Sequence, residues 1–234
     1  MSPYVAEFFG TLLLILLGEG VNAGVTLKKS KSENAGWFTI VIGWGLAVTF
    51  AIYAVGNVSG AHLNPAITLA MAYNGSFPTD QVLSYIIAQL LGAFVGAILV
   101  WIHYLPHWKE TVDADAKRGV FCTAPAIRNV FSNLMSEIMA TAVFVLAILF
   151  IGTNDFTQGF FPVVIGLLIV IIGLSFGGTT GFAINPARDL GPRFAHFILP
   201  IPKKGSSDWS YAWIPVVGPT VGGLLGAWIY NLIF

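Results

Sequence analysis

Two stretches decide the fold of this chain, Ser59-Gly60-Ala61-His62-Leu63-Asn64-Pro65-Ala66 and Thr180-Gly181-Phe182-Ala183-Ile184-Asn185-Pro186-Ala187. Each contains Asn-Pro-Ala, which predicts a helix start, because Asn is a favoured N-cap and Pro fits the first helical position. Both copies lie in apolar stretches that are too short and too interrupted to span a bilayer. A helix that begins inside a membrane points its positive dipole end and unpaired backbone groups away from lipid. A water-filled pore is the natural candidate.

The composition is that of an integral membrane protein. Of 234 residues 56% are hydrophobic and only 9% charged, and the mean hydropathy is +0.79. A spanning helix needs roughly 20 mainly apolar residues. Six segments meet this requirement, approximately 3–27, 36–55, 81–104, 129–152, 160–176 and 211–233. The two Asn-Pro-Ala segments are left over as short helices.

Charge and cysteine content exclude several classes of function. The formal net charge is zero, so nothing in it indicates nucleic acid as a partner. Cys122 is the only cysteine, which rules out an internal disulfide and a thiolate metal cluster. We therefore expect neither a metal nor another cofactor.

The two halves of the chain resemble each other. Glu7 and Glu137 occupy matching positions with an offset of 137 − 7 = 130, and the two Asn-Pro-Ala copies have an offset of 185 − 64 = 121. Each half reads helix, helix, half-helix, helix, which predicts one channel domain over 1–234. Its parts are a first repeat over 1–104, a connecting loop over 105–128 and a second repeat over 129–234. Three spanning helices per half is an odd number, so the second repeat is inverted and the two Asn side chains meet at mid-membrane.

These motifs, together with the continuation Arg188-Asp189 after the second copy, resemble the major intrinsic proteins, and within them the glycerol facilitators or aquaglyceroporins. The resemblance covers essentially the whole chain. It implies an all-α membrane protein with six transmembrane helices and two re-entrant half-helices in a right-handed bundle. It also implies a passive channel, and not an enzyme, that passes glycerol, other small uncharged solutes and water while excluding ions and protons. A homotetramer surrounded by lipid in the cell membrane is the family expectation.

The resemblance assigns roles to particular residues. The amides of Asn64 and Asn185 donate to a solute oxygen at mid-pore, with no competing acceptor. The four residues before each asparagine supply a ladder of acceptor carbonyls, namely Gly60, Ala61, His62, Leu63, Gly181, Phe182, Ala183 and Ile184. The narrowest part of the pore falls on Trp44, Gly173, Phe182 and Arg188, where the glycine opens room, the aromatic rings form an apolar corner and Arg188 binds hydroxyls.

Acidic residues receive supporting roles. By resemblance, Glu7 and Glu137 brace the two loops through backbone N–H groups. Asp189 and Arg193 have i,i+4 spacing and are expected to pair along the second short helix in support of the filter. Glu19 receives no role, and a position at headgroup level or in a subunit contact is its default.

Two further functions and the orientation stay open at this stage. A secondary transporter also uses inverted repeats and broken helices, but its coupling would have to fall on Glu7, Glu137 or Arg188. For an intramembrane enzyme, the sequence shows neither a cluster of metal ligands nor a nucleophile paired with a base. All eleven Lys and Arg residues fall on one side of the predicted topology. The positive-inside rule makes that side cytoplasmic, whereas the resemblance makes it external with both termini in the cytoplasm.

Overall fold

A computed structural model describes residues 1–234, and it contains ten α-helices and no strand. In chain order they are α1 Pro3–Thr26, α2 Gly36–Ser59, α3 Pro65–Tyr73, α4 Val82–His103, α5 His107–Glu110, α6 Ala114–Phe121, α7 Val130–Ile151, α8 Phe161–Thr180, α9 Pro186–Ile198 and α10 Ile214–Ile233. The six helices α1, α2, α4, α7, α8 and α10 are long and apolar enough to cross a membrane. Helices α3 and α9 are the half-helices that begin at the two Asn-Pro-Ala copies.

The half-helices are exchanged between the two halves of the molecule. Helix α3 packs chiefly against α10 of the second half, and α9 packs chiefly against α4 of the first. Within the halves, α1 packs against α2 and α4, while α7 packs against α10. The N-termini of α3 and α9 meet at the centre of the bundle as a result.

Close packing of two helix pairs depends on glycines at their contacts. A methyl group built on Gly96 would lie 2.7 Å from the carbonyl oxygen of Leu12, and one on Gly226 would lie 2.5 Å from that of Ala142. Because a real Cβ does not approach oxygen so closely, these positions allow the backbones of α1 and α4, and of α7 and α10, to touch.

Helices α2 and α8 end later than the sequence predicts. The expected ends were residues 55 and 176, but the helices continue to Ser59 and Thr180. Each then stops at a glycine in the left-handed conformation, Gly60 with φ 80° and Gly181 with φ 84°. Hydrophobicity fades before these last turns, which explains why an apolar-segment criterion ended both helices four residues early.

The predicted connecting loop over 105–128 is partly helical. It contains α5 and α6, and α6 packs against α1 and α9 at the mouth of the bundle. Asp113 begins α6 as an N-cap, with its carboxylate accepting from the backbone N–H groups of Asp115 and Ala116.

Candidate pore and selectivity filter

The side chains of Asn64 and Asn185 cap the half-helices and tie the two halves together. The Oδ1 atom of Asn64 accepts from the N–H of Ala66 at 2.9 Å, and that of Asn185 accepts from the N–H of Ala187 at 3.0 Å. Each Nδ2 then donates to a carbonyl of the opposite loop, from Asn64 to Ile184 and from Asn185 to Leu63, both at 2.8 Å. The expectation of amides with no competing acceptor was therefore wrong. One N–H of each amide is used, and one is left for a solute.

The loops before the two asparagines share an unusual backbone conformation. Ala61 and Leu63 have φ values of 51° and 53°, and Phe182 and Ile184 have φ values of 40° and 43°. For residues with a side chain this region costs about 1–2 kcal/mol each. Seven of the eight predicted carbonyl residues line one cavity of about 360 Å³, which also contains both asparagines. The eighth, Gly181, lines an adjoining cavity.

Glu7 lies behind the first loop and is fully buried. One carboxylate oxygen accepts from the hydroxyl of Ser59 at 2.7 Å and from the N–H of His62 at 2.9 Å. The other accepts from the N–H of Leu63 at 2.7 Å and from the side-chain amide of Gln89 at 2.8 Å. Four donors thus converge on this carboxylate, and they hold the strained backbone in place.

Glu137 stands behind the second loop in the same manner. Its oxygens accept from the hydroxyl of Thr180 at 2.6 Å and from the N–H groups of Ala183 and Ile184 at 3.0 Å each. The donors Ser59 and Thr180 are the last residues of α2 and α8, so the carboxylates also fix where those helices end. Hydropathy carries no signal for such hydroxyl partners.

Three of the four predicted filter residues lie at the boundary of two cavities. Trp44, Phe182 and Arg188 line both the 360 Å³ cavity and a second one of about 190 Å³. The guanidinium carbon of Arg188 lies over the Trp44 ring, 4.3 Å from its centroid. Its Nη1 donates to the carbonyl of Phe121 at 3.2 Å. The boundary therefore combines two aromatic surfaces with a cation that has further donors to offer.

Gly173, the fourth predicted filter residue, lines neither cavity. A methyl group on it would lie 2.9 Å from Cζ of Phe182, and one on Gly177 would lie 2.7 Å from Cδ1 of the same ring. The Phe182 ring fills the space that these two glycines leave. Trp37 packs against the same ring in a T-shaped arrangement, with ring centroids 5.8 Å apart. Gly173 thus seats the ring, and the expectation that it opens space in the pore itself was wrong.

Helix α1 supplies two residues behind the filter that the sequence did not identify. Asn22 accepts from Nε1 of Trp44 at 3.0 Å and fixes that ring. Glu19 is fully buried, with one carboxylate oxygen 3.9 Å from Nη1 of Arg188. The default position for Glu19, at headgroup level or in a subunit contact, was wrong. The i,i+3 spacing of the two residues on one face of α1 was the available signal.

The predicted pair of Asp189 and Arg193 forms along the first two turns of α9, and both side chains are fully buried. Arg193 donates twice to Asp189, at 2.8 and 3.1 Å, and its other N–H groups bind the carbonyls of Thr123, Ser207 and Asp208. All five donors of the guanidinium are used, so this pair fastens two outer loops to the half-helix.

A second ion pair lies next to this one, outside the spanning helices. Arg128 donates to Asp208. Burial by itself would raise the pKa of Asp208, but hydrogen bonds from Arg128 and Ser210 hold that pKa below its ordinary value. In addition, Lys204 donates to the carbonyls of His196, Phe197 and Leu199 at the C-terminal end of α9. Arg128 and Lys204 therefore stabilise the loop around Asp208 and the C-terminal end of α9.

No group of three His, Cys, Asp or Glu side chains could hold a metal ion, and the single thiol, Cys122, is buried. The larger cavity is lined mainly by apolar residues, together with both asparagines and Arg188.

Comparison with known proteins gives one consistent family. The family model described as Major intrinsic protein matches residues 1–230. A probable glycerol uptake facilitator protein of Thermotoga maritima is 58% identical over 234 residues, covering all of both chains. A glycerol uptake facilitator protein of Bacillus subtilis is also 58% identical, over all of this chain and 85% of its own. The crystal structure of the aquaglyceroporin from Plasmodium falciparum superposes with a TM-score of 0.86 at 34% identity, over 97% of this chain and 94% of that one. The predicted all-α fold is thereby confirmed, and the chain belongs to the major intrinsic protein family.

Proposed function

We propose that this chain is a passive channel for glycerol and other small uncharged hydroxyl compounds, with water as a co-permeant. The observation that carries the proposal is the boundary of the two cavities, which Trp44, Phe182 and Arg188 line together. A polyol has a carbon face and a hydroxyl face, and this boundary offers an aromatic surface to one and a fork of N–H donors to the other. The similarity to two glycerol uptake facilitators supports the same substrate class.

Beyond the filter, the solute would move along the carbonyls of the two loops and past the asparagines. Each hydroxyl can donate to a carbonyl and accept from the remaining N–H of Asn64 or Asn185. Because the loop bonds to Glu7 and Glu137 fix these groups, the solute exchanges its water shell for a prearranged polar wall. The remaining wall is apolar, which keeps binding weak enough for fast release.

Ion exclusion follows from the centre of the path. The positive ends of the α3 and α9 dipoles point at the same region, and the two asparagine amides add donors but no acceptors there. A cation or a proton carried along a water chain meets a positive potential with no counter-charge on the pore wall.

A proton-coupled transporter is the competing function, and the contacts of the carboxylates weigh against it. Glu7 accepts four hydrogen bonds and Glu137 accepts three, so protonation of either would disrupt the loop that lines the path. Proton coupling at Glu7 or Glu137 would therefore disrupt the path along which the solute moves.

We also propose a homotetramer in the cell membrane with cytoplasmic termini, in line with the family. Large apolar side chains are exposed along the outer faces of the helices, including Phe50, Leu83 and Leu167. These faces require cover by lipid or by neighbouring subunits. The loop basic residues favour the opposite orientation by the positive-inside rule, but their contacts with loop carboxylates and carbonyls give them a structural purpose on either side.

Light scattering from proteoliposomes tests the function. Glycerol flux should be linear with concentration and unchanged by an imposed proton gradient. Saturation at low concentration together with a response to that gradient would instead establish the transporter.

A further inference from the structure

We infer that Glu19 is the counter-ion of Arg188, and that it keeps the filter selective for neutral hydroxyl compounds by preventing small anions from binding there. The inference rests on the proposed function, because it refines the selectivity at the same boundary.

The position of Glu19 is that of a charge buried behind the filter. The carboxylate is fully buried in α1, lines neither cavity and lies 3.9 Å from Nη1 of Arg188. Arg188 is the one basic group within ion-pair distance of it. Neither of its oxygens has a hydrogen-bond partner in the protein. A buried carboxylate without donors is unfavourable unless an opposite charge stands next to it, and Arg188 is that charge.

The neighbouring charged side chains are bound to other partners and do not compete for Glu19 or Arg188. Asp189, the next carboxylate along α9, is bound by both Arg193 and Thr123. Arg193 in turn has no donor free for Glu19. The Arg188 and Glu19 charges therefore compensate each other, separately from the outer pair.

The consequence for selectivity is electrostatic. A guanidinium is always charged, and with free donors in a desolvated site it binds carboxylates and other anions strongly. Glu19 cancels much of its net charge from behind while leaving the pore-facing N–H groups in place. A hydroxyl group still binds, since it needs only the donors, whereas an anion loses the net positive charge that would hold it.

The test compares glycerol flux in sodium formate with glycerol flux in sodium gluconate at equal ionic strength. Formate is small enough to reach the filter, and gluconate serves as the bulky reference anion. Wild-type flux should be the same in both salts. In Glu19→Gln, formate should bind about tenfold or more tightly, since one charge-assisted hydrogen bond contributes that much, and glycerol flux should fall accordingly in formate alone.

Four variants separate this role from a merely structural one. Glu19→Asp keeps the charge and should restore formate-independent flux, while Glu19→Leu removes it with similar volume and should be formate-sensitive like Glu19→Gln. The double variant Glu19→Gln/Arg188→Gln removes both charges and should lose the formate effect. Glu33→Gln, which removes a carboxylate paired with Lys28 in an outer loop, is the matched control and should behave as wild type.

Either neutral variant, once folded and conducting, overturns the inference if its flux is equal in the two salts. Formate inhibition of wild type or persistence of inhibition in the double variant would also overturn it. Failure of the proposed function looks different, because wild-type vesicles would then pass no more glycerol than empty ones in any salt.

Discussion

Replacing Gly173 with alanine should lower glycerol permeation without altering any residue of the pore wall. The added methyl would lie 2.9 Å from Cζ of Phe182 and 2.7 Å from Cγ1 of Val41, whereas ordinary contact begins at 3.4 Å. Ordinary contact therefore needs the ring and the methyl to separate by a further 3.4 − 2.9 = 0.5 Å, and Phe182 lines both cavities, into which its ring can shift. Overpacking of this kind costs about 1–3 kcal/mol, which corresponds to about a 5- to 150-fold slower passage if glycerol must push the ring back. Water is smaller, so the glycerol to water ratio should fall about tenfold.

Stopped-flow light scattering on vesicles with equal amounts of protein measures both permeabilities. Gly177→Ala should act in the same direction, because its methyl would lie 2.7 Å from Cδ1 of Phe182. Gly178→Ala is the matched control on the same helix, since nothing lies within 4 Å of the added methyl. If Gly173→Ala folds normally and has the same glycerol to water permeability ratio as Gly178→Ala, the position of the Phe182 ring does not control selectivity.

Three other perturbations have defined outcomes. Phe182→Ala should change the glycerol to water ratio and admit a longer polyol, and an unchanged solute panel would place the ring outside the path. In Glu7→Gln and Glu137→Gln, the new amide group turns an N–H toward at least one N–H or O–H donor of the loop. Each variant should therefore lose about 3 kcal/mol of stability, measured by thermal unfolding, and most of its glycerol flux, measured in proteoliposomes. Because the pKa of Asp208 is depressed, its pair with Arg128 stabilises the protein above the ordinary value of 3.8 and is lost as the pH falls through the lower folded value. Asp208→Asn should therefore flatten the acid limb of thermal stability, and an identical limb would refute this.

The sequence predicted the elements better than the contacts behind them. Six spans and two half-helices followed from apolar length and from the Asn-Pro starts, because these are local properties of the chain. The ends of α2 and α8 did not follow, since Ser59 and Thr180 are held by carboxylates far away in sequence. Long-range hydrogen bonds of this kind leave no trace in hydropathy.

The filter was predicted by resemblance, yet its supports were not. Gly173 was assigned to the pore wall, but its contribution depends on where the Phe182 ring rests, which only packing decides. Glu19 received no role from the sequence, and its default position was at headgroup level or in a subunit contact. The burial of Glu19 depends on Arg188, which lies far away in the sequence. No local sequence pattern links the two residues.

The exchange of half-helices bears on how the chain matures during synthesis. Helix α3 belongs to the first half, but its main partner, α10, is synthesised much later. A methyl on Gly223 of α10 would lie 2.9 Å from the carbonyl oxygen of Ala66, so this contact is close and specific. The first loop therefore lacks its main packing partner until α10 has been synthesised. A chain that stops before α10 leaves the first Asn-Pro-Ala helix without that partner.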